Sequence, residues 1–220
     1  MARKKVSKKI PDPDKEGPHT DAYSEKSFAY IDEYLGGVLS AIFQLSKKDI
    51  SDCIKLLLNL KKRNGRLFLV GIGGSASNCS HAVNDFRKIA NIEAYTPIDN
   101  VSELTARVND DGWETIFVNW LKVSKLTSKD AVMILSVGGG NLEKNISPNI
   151  VEALKYAKEV RASVIGIVSR DGGYTKKVAD VCIMVPIIKD EFITPFAESF
   201  QALIWHLLVF SPHLREIKPY

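Results

Sequence analysis

The sequence predicts a three-layer α/β fold: a doubly wound, five-stranded parallel sheet preceded by a helical hairpin. Three observations carry this expectation. Between 66 and 186 stand five short β-rich runs, four of them rich in Val, Ile, Leu and Met without polar alternation, as strands buried on both faces are. Stretches of helical period separate them, as parallel crossovers require. Two of the runs end in glycine-rich turns, GIGGSAS (71–77) and SVGGGN (136–141). Right-handed crossovers then give a doubly wound sheet, and a strand order of 2-1-3-4-5 makes those two turns neighbours.

Each element follows in order. Residues 1–22 are basic, then rich in Pro, Asp and Gly, and read as a flexible arm before a single domain spanning 23–220. Over 23–63, Phe28, Ile31, Tyr34, Leu35, Val38, Leu39, Ile42 and Phe43 recur at helical spacing. A second set, Ile50, Cys53, Ile54, Leu57, Leu58 and Leu60, follows Ser46; Ser51 and Asp52 offer start signals and Asn64-Gly65 a stop. Both apolar faces are broad enough to want a partner subunit. The α/β core, 64–210, then reads as strands at 66–71, 92–97, 131–136, 163–168 and 181–186. Helices fall between them at 76–89, 101–107, 113–124, 151–160 and 174–179, with a terminal helix at 195–209.

Composition bounds the function. The chain has 220 residues, 45% hydrophobic and 25% charged, which suits a full-sized core. Its net charge of +4 is local, because five of its 30 Lys and Arg lie in the first ten residues, where no acid occurs. The nearly neutral remainder argues against a nucleic-acid surface. Three cysteines without a CxxC pair offer neither a disulfide framework nor a zinc finger. No apolar run approaches the ~18 residues of a membrane span. The expected setting is cytoplasmic.

Ligands of such sheets bind beyond the carboxyl ends of the strands. Both glycine-rich turns stand there, and their glycines and hydroxyls suit the phosphate of a small molecule. Neither is a Walker A loop, and GIGGSAS lacks the third glycine of the dinucleotide fingerprint. On the helix leaving the first turn, His81 and Asp85 share a face at i, i+4 spacing. Glu198 and His206 share a stripe on the terminal helix, two i+4 steps apart. Two histidines and two carboxylates can bind a divalent metal or divide into acid and base. Eight helical residues rise ~12 Å, however, which strains Glu198 and His206 as ligands of one ion.

These residues resemble the sugar isomerase (SIS) domain family, of flavodoxin-like fold, and within it the phosphoheptose isomerases. The resemblance lies in GIGGSASNCSHAVNDF, VSELTARVNDDGWETIF, SRDGGYTKKVADVCIMVP and AESFQALIWHLL, and covers about 25–210. It implies a homotetramer that converts sedoheptulose 7-phosphate into D-glycero-D-manno-heptose 7-phosphate through an enediol, often with zinc. It implies Asp85 as base, His206 as acid, and His81, Asp85, Glu198 and His206 at the metal-ligand positions. Gly73, Gly74, Ser75, Asp110, Ser136, Gly138, Gly139 and Asn141 then fall at substrate-binding positions, Ser75 and Ser136 at the phosphate. The alternatives are an isomerase of another sugar phosphate, or a non-catalytic SIS protein that binds a sugar phosphate or a protein.

The chain also departs from the family's pattern. Asp85 stands for Glu, Glu198 for Gln, Ile72 for Asn and Pro195 for Asp. The family's Ser-Thr-Ser-Gly-Asn-Ser loop is here Ser136-Val137-Gly138-Gly139-Gly140-Asn141, so three of its hydroxyls are gone. About six extra residues, 144–149, follow it, among which Lys144 or Ser147 is expected to restore a phosphate contact.

Overall fold

A computed structural model describes residues 20–216; the arm foreseen at 1–22 lies outside them, except that its last three residues already open a helix. Two compact units are distinguished, one ending at Leu39 and one beginning at Ser40. Helix α1, Thr20–Gln44, starts in the first unit and ends in the second. In the first unit Phe28, Ile31, Leu35 and Leu39 recur every three or four residues and are 45–66% exposed.

The second unit holds the sheet. Its strands are β1 (Leu67–Gly71), β2 (Ala94–Tyr95), β3 (Ala131–Leu135), β4 (Ser163–Val168) and β5 (Val181–Met184), all parallel, in the order β2-β1-β3-β4-β5. This is the expected topology. The edge strand is shorter than the 92–97 foreseen, because Pro97 has no N–H with which to extend a ladder. Helix α2 is Lys47–Lys62, capped by Ser46, whose Oγ accepts from the Asp49 amide at 3.2 Å. Ser51 and Asp52 are therefore interior to it, and Asp52 pairs with Lys48 and Lys55 instead of starting a helix.

The remaining helices are α3 (Gly74–Lys88), α4 (Val101–Asp110), α5 (Ile116–Val123), α6 (Pro148–Glu159), α7 (Gly173–Val178) and α8 (Ile193–Val209). Helix α6 begins three residues before the expected 151, with Pro148 where its missing N–H costs nothing. Phe68, Val70, Val132, Ile134 and Val164 bury one sheet face against Ile116, Phe117, Leu121, Ile150 and Leu154 of α5 and α6. The alternate residues, among them Leu69, Met133 and Ile165, point to the opposite layer, where α3 packs on β1 and α8. The described stretch long and apolar enough to cross a membrane, Asp190–Val209, contains α8 and is half buried inside this unit.

Candidate active site

The site is built where α3 leaves β1. Gly73 takes φ +64° to turn the chain into α3, and Ser75 is buried in its first turn. One further turn and a half along, His81 and Asp85 share a face. Helix α8 packs against α3 and brings Trp205 and His206 to the same place. Asp85 is 6% exposed, and its Oδ2 lies 3.2 Å from His206 Nε2 and 3.5 Å from His81 Nε2. Two more donors reach the carboxylate: Trp205 Nε1–H donates to Oδ2 at 3.1 Å and Asn84 Nδ2–H to Oδ1 at 3.0 Å. The two imidazole rings meet edge to face, 5.3 Å between centroids. Three of the four side chains expected to share a site, His81, Asp85 and His206, thus meet within one chain.

The donor set fits a metal ion. His206 Nδ1 lies 2.8 Å from the Ala202 carbonyl, which can only accept, so Nδ1 carries the hydrogen. The Nε2 lone pair of a neutral imidazole then faces a carboxylate oxygen, an arrangement that calls for a proton or a cation between them. His81, Asp85 and His206 each offer one ligand atom, and the three atoms lie within 4.8 Å of one another. A tetrahedral zinc site with 2.0–2.1 Å bonds places its donors about 3.4 Å apart, close to the 3.2 and 3.5 Å found here.

Glu198 does not join this set. Its carboxylate packs over Gly74, where an added Cβ would lie 2.5 Å from Oε2, and its carbonyl accepts from Asn78 Nδ2–H. The axial rise between Glu198 and His206 is the physical reason. Asp110 sits exposed at the end of α4 and accepts from the neighbouring Asn109. Among the described residues no hydrogen bond joins Asp110 to the histidines or to the glycine turns.

Beyond the carboxyl ends of β1 and β3 lies an open cleft of about 220 Å³, walled by Ser75, Ser136, Gly138, Ser147, Arg170 and Ile72, among others. Ser136 Oγ accepts from the Gly139 amide at 3.1 Å, leaving its own hydrogen free to donate into the cleft. Gly138 also faces it, but Gly139 and Asn141 are committed elsewhere. The Gly139 carbonyl accepts from Thr175 N–H and Oγ1–H, and any Cβ there would collide with the Gly172 carbonyl. Asn141 Oδ1 accepts from the Lys144 amide and its backbone pairs with Ile146. The extra residues therefore form a turn closed on itself, which brings Ser147 to the cleft and leaves Lys144 exposed at the tip. Ile72 packs into the core beside the cleft.

Sequence reasoning missed Trp205 and Arg170. A tryptophan in an apolar helix reads as core, which Trp205 also is; only the fold shows that its N–H meets Asp85. Arg170 stands in a turn after β4, inside the SRDGG stretch that carries the resemblance, but neither spacing nor that resemblance gives it a role.

Residues 29–169 match the SIS domain family. The chain is 28% identical over 193 residues to the phosphoheptose isomerase of Helicobacter pylori strain P12, covering 86% of this chain and 93% of that one. It is 33% identical over 162 residues to the phosphoheptose isomerase of a Nitratiruptor species, covering 71% and 78%. With the lincomycin biosynthesis protein LmbN of Streptomyces lincolnensis it shares 29% over 164 residues, 70% of this chain and 58% of that protein's length. Among solved structures, the phosphoheptose isomerase of Neisseria gonorrhoeae superposes with a TM-score of 0.72 at 24% identity, over 85% of this chain and 97% of that one.

Proposed function

The chain belongs to the SIS domain family, among its phosphoheptose isomerases, and on that premise we propose that it interconverts sedoheptulose 7-phosphate and D-glycero-D-manno-heptose 7-phosphate. The observation that carries the reading is the buried Asp85 carboxylate, set between His206 and His81 on the helix that starts at the Ser75 cleft. An aldose–ketose isomerisation moves one proton between C1 and C2 and another between their oxygens. Asp85 takes the carbon-bound proton and returns it to the neighbouring carbon. His206 exchanges the proton on oxygen, so that an enediol forms and collapses without free charge. Trp205 N–H holds the Asp85 carboxylate in one orientation while this happens. His81, Asp85 and His206 would also hold zinc, which would then stabilise the oxygen charge of an enediolate as a Lewis acid in place of the His206 proton exchange.

Six residues of α3, about 9 Å of rise, separate Ser75 from His81. That spacing suits a long sugar chain, with its phosphate at the cleft and C1–C2 at the histidines, better than a triose. A second reading, another sugar phosphate handled by the same pair, is favoured by the apolar wall that Ile72 and Ile146 give the cleft. We further propose a homotetramer. The reading is supported by exposed Phe28, Ile31, Leu35 and Leu39 in the first unit and by Leu203, Leu207 and Phe210 in the second.

The test is a coupled assay with sedoheptulose 7-phosphate, with and without added Zn²⁺, beside light scattering for the assembly state. Turnover that disappears in Asp85→Asn/His206→Ala is the expected result. A folded, metal-loaded chain inert on sedoheptulose 7-phosphate but active on another sugar phosphate would transfer the assignment to the second reading. Inertness on all of them would remove the catalytic one.

A further inference from the structure

We infer that Arg170 is the charged anion contact of this site, taking the place of the hydroxyls that the 136–141 turn lacks. It deepens the function proposed above, and rests on it only for the sugar that carries the phosphate. Three observations converge. Arg170 lines the cleft together with Ser75, Ser136, Ser147 and Thr194, and no carboxylate lines it. Its side chain lies over Gly138, 3.8 Å from where a Cβ would stand, so the turn's missing side chains leave room for it. Among the described residues, no hydrogen bond or ion pair engages its guanidinium, whereas Arg63, Arg66, Arg87 and Arg107 all have such partners. Arg170 sits at φ +53°, a left-handed conformation that glycine adopts without strain and arginine does not. Arg161 and Lys125 share that conformation; what sets Arg170 apart is that it is unpaired and faces a cluster of hydroxyls, where a guanidinium fits a phosphate bidentately, as a lysine would not.

The strained conformation makes the inference testable without ambiguity. Arg170→Gly removes the guanidinium and relieves the backbone, so a structural arginine and a ligand-binding one give opposite results. The probe is inorganic phosphate, followed by its effect on the melting temperature at low salt. Arg170→Gly is expected to melt at or above the parent's temperature and to bind phosphate about tenfold or more weakly. Arg170→Lys is expected to fall between the two, and Lys144→Gln, on the exposed tip, to match the parent. In the sugar-phosphate assay the loss should appear in KM, with kcat within about threefold.

Equal phosphate binding by the parent and Arg170→Gly would overturn the inference. So would an equal loss in Lys144→Gln, or a parent that binds no phosphate. A parent that binds phosphate through Arg170 yet isomerises no sugar phosphate would uphold the inference and sink the proposed function instead.

Discussion

Two aspartates at opposite ends of the sheet are nearly equally buried and are held in opposite ways. Asp130, 2% exposed, lies at the amino end of the strands, just before β3. Its carboxylate accepts from the Arg66 amide, Nε and Nη2 and from the Thr127 amide and hydroxyl, at 2.8–3.2 Å. Arg66 is itself held by the Ser124 and Lys125 carbonyls. Asp85, 6% exposed, is faced at the carboxyl end by a tryptophan, an asparagine and two imidazoles that are themselves about half exposed. One carboxylate is saturated by donors that cannot leave. The other is faced by groups that can exchange a proton or share an ion. Burial alone, then, does not distinguish a clamp from a reactive group; the mobility of the partners' protons does.

The sharpest way to break the comparison is to exchange the consequences. Asp85→Asn is expected to cut kcat by about 10²–10⁴ while leaving the urea midpoint nearly unchanged. Asp130→Ala is expected to cost about 2–3 kcal/mol in urea unfolding, with kcat/KM per folded molecule unaltered. An Asp85→Asn chain that unfolds, or an Asp130→Ala chain that is folded but inactive, would erase the distinction. Calorimetric titration with Zn²⁺ comes next. One site per chain should weaken about a hundredfold or more in His81→Ala/His206→Ala, beyond the cost of losing a supporting contact alone. Trp205→Phe keeps the ring and removes the N–H, and should lower kcat about tenfold with KM little changed. A rise in KM instead would make Trp205 a packing residue only.

The smallest effect is on the pH dependence of stability. Burial pushes the Asp130 carboxyl upward, but the Arg66 and Thr127 hydrogen bonds together outweigh it and hold it below the ordinary 3.8. The stability that this lowering confers is complete above the unfolded value and disappears as pH falls through the folded one. The gap in stability between the parent and Asp130→Asn should therefore narrow below about pH 4. A gap constant down to pH 2 would show that the clamp's strength does not depend on charge.

The sheet was legible in the sequence because buried parallel strands announce themselves as apolar runs, and AVMIL and SVIGIV leave little choice. Boundaries were harder where a single competing group decided them. Ser46 captured the start of α2 from Ser51, and Pro97 cut β2 short. The His81–Asp85 pair and the Glu198–His206 stripe were both visible from their spacing, and the resemblance gave them roles. Glu198 passed the same one-dimensional test, yet the axial rise of α8 carries it away to Gly74. Trp205 and Arg170 left no trace in spacing, since one meets Asp85 through an N–H on an otherwise apolar ring and the other stands out only by its place in the fold and its backbone angle.

The self-closed turn at 141–146 has a practical consequence. Burial pushes the thiol of Cys53 up to about 12 and that of Cys182 to about 11, and raises Cys79 as well. None of the three offers much thiolate at neutral pH. A cysteine placed at Lys144, on the exposed tip of a turn whose other end borders the cleft, would then be the preferred target of a maleimide dye. Fluorescence from that one position would report ligand entry directly, with every native cysteine left in place.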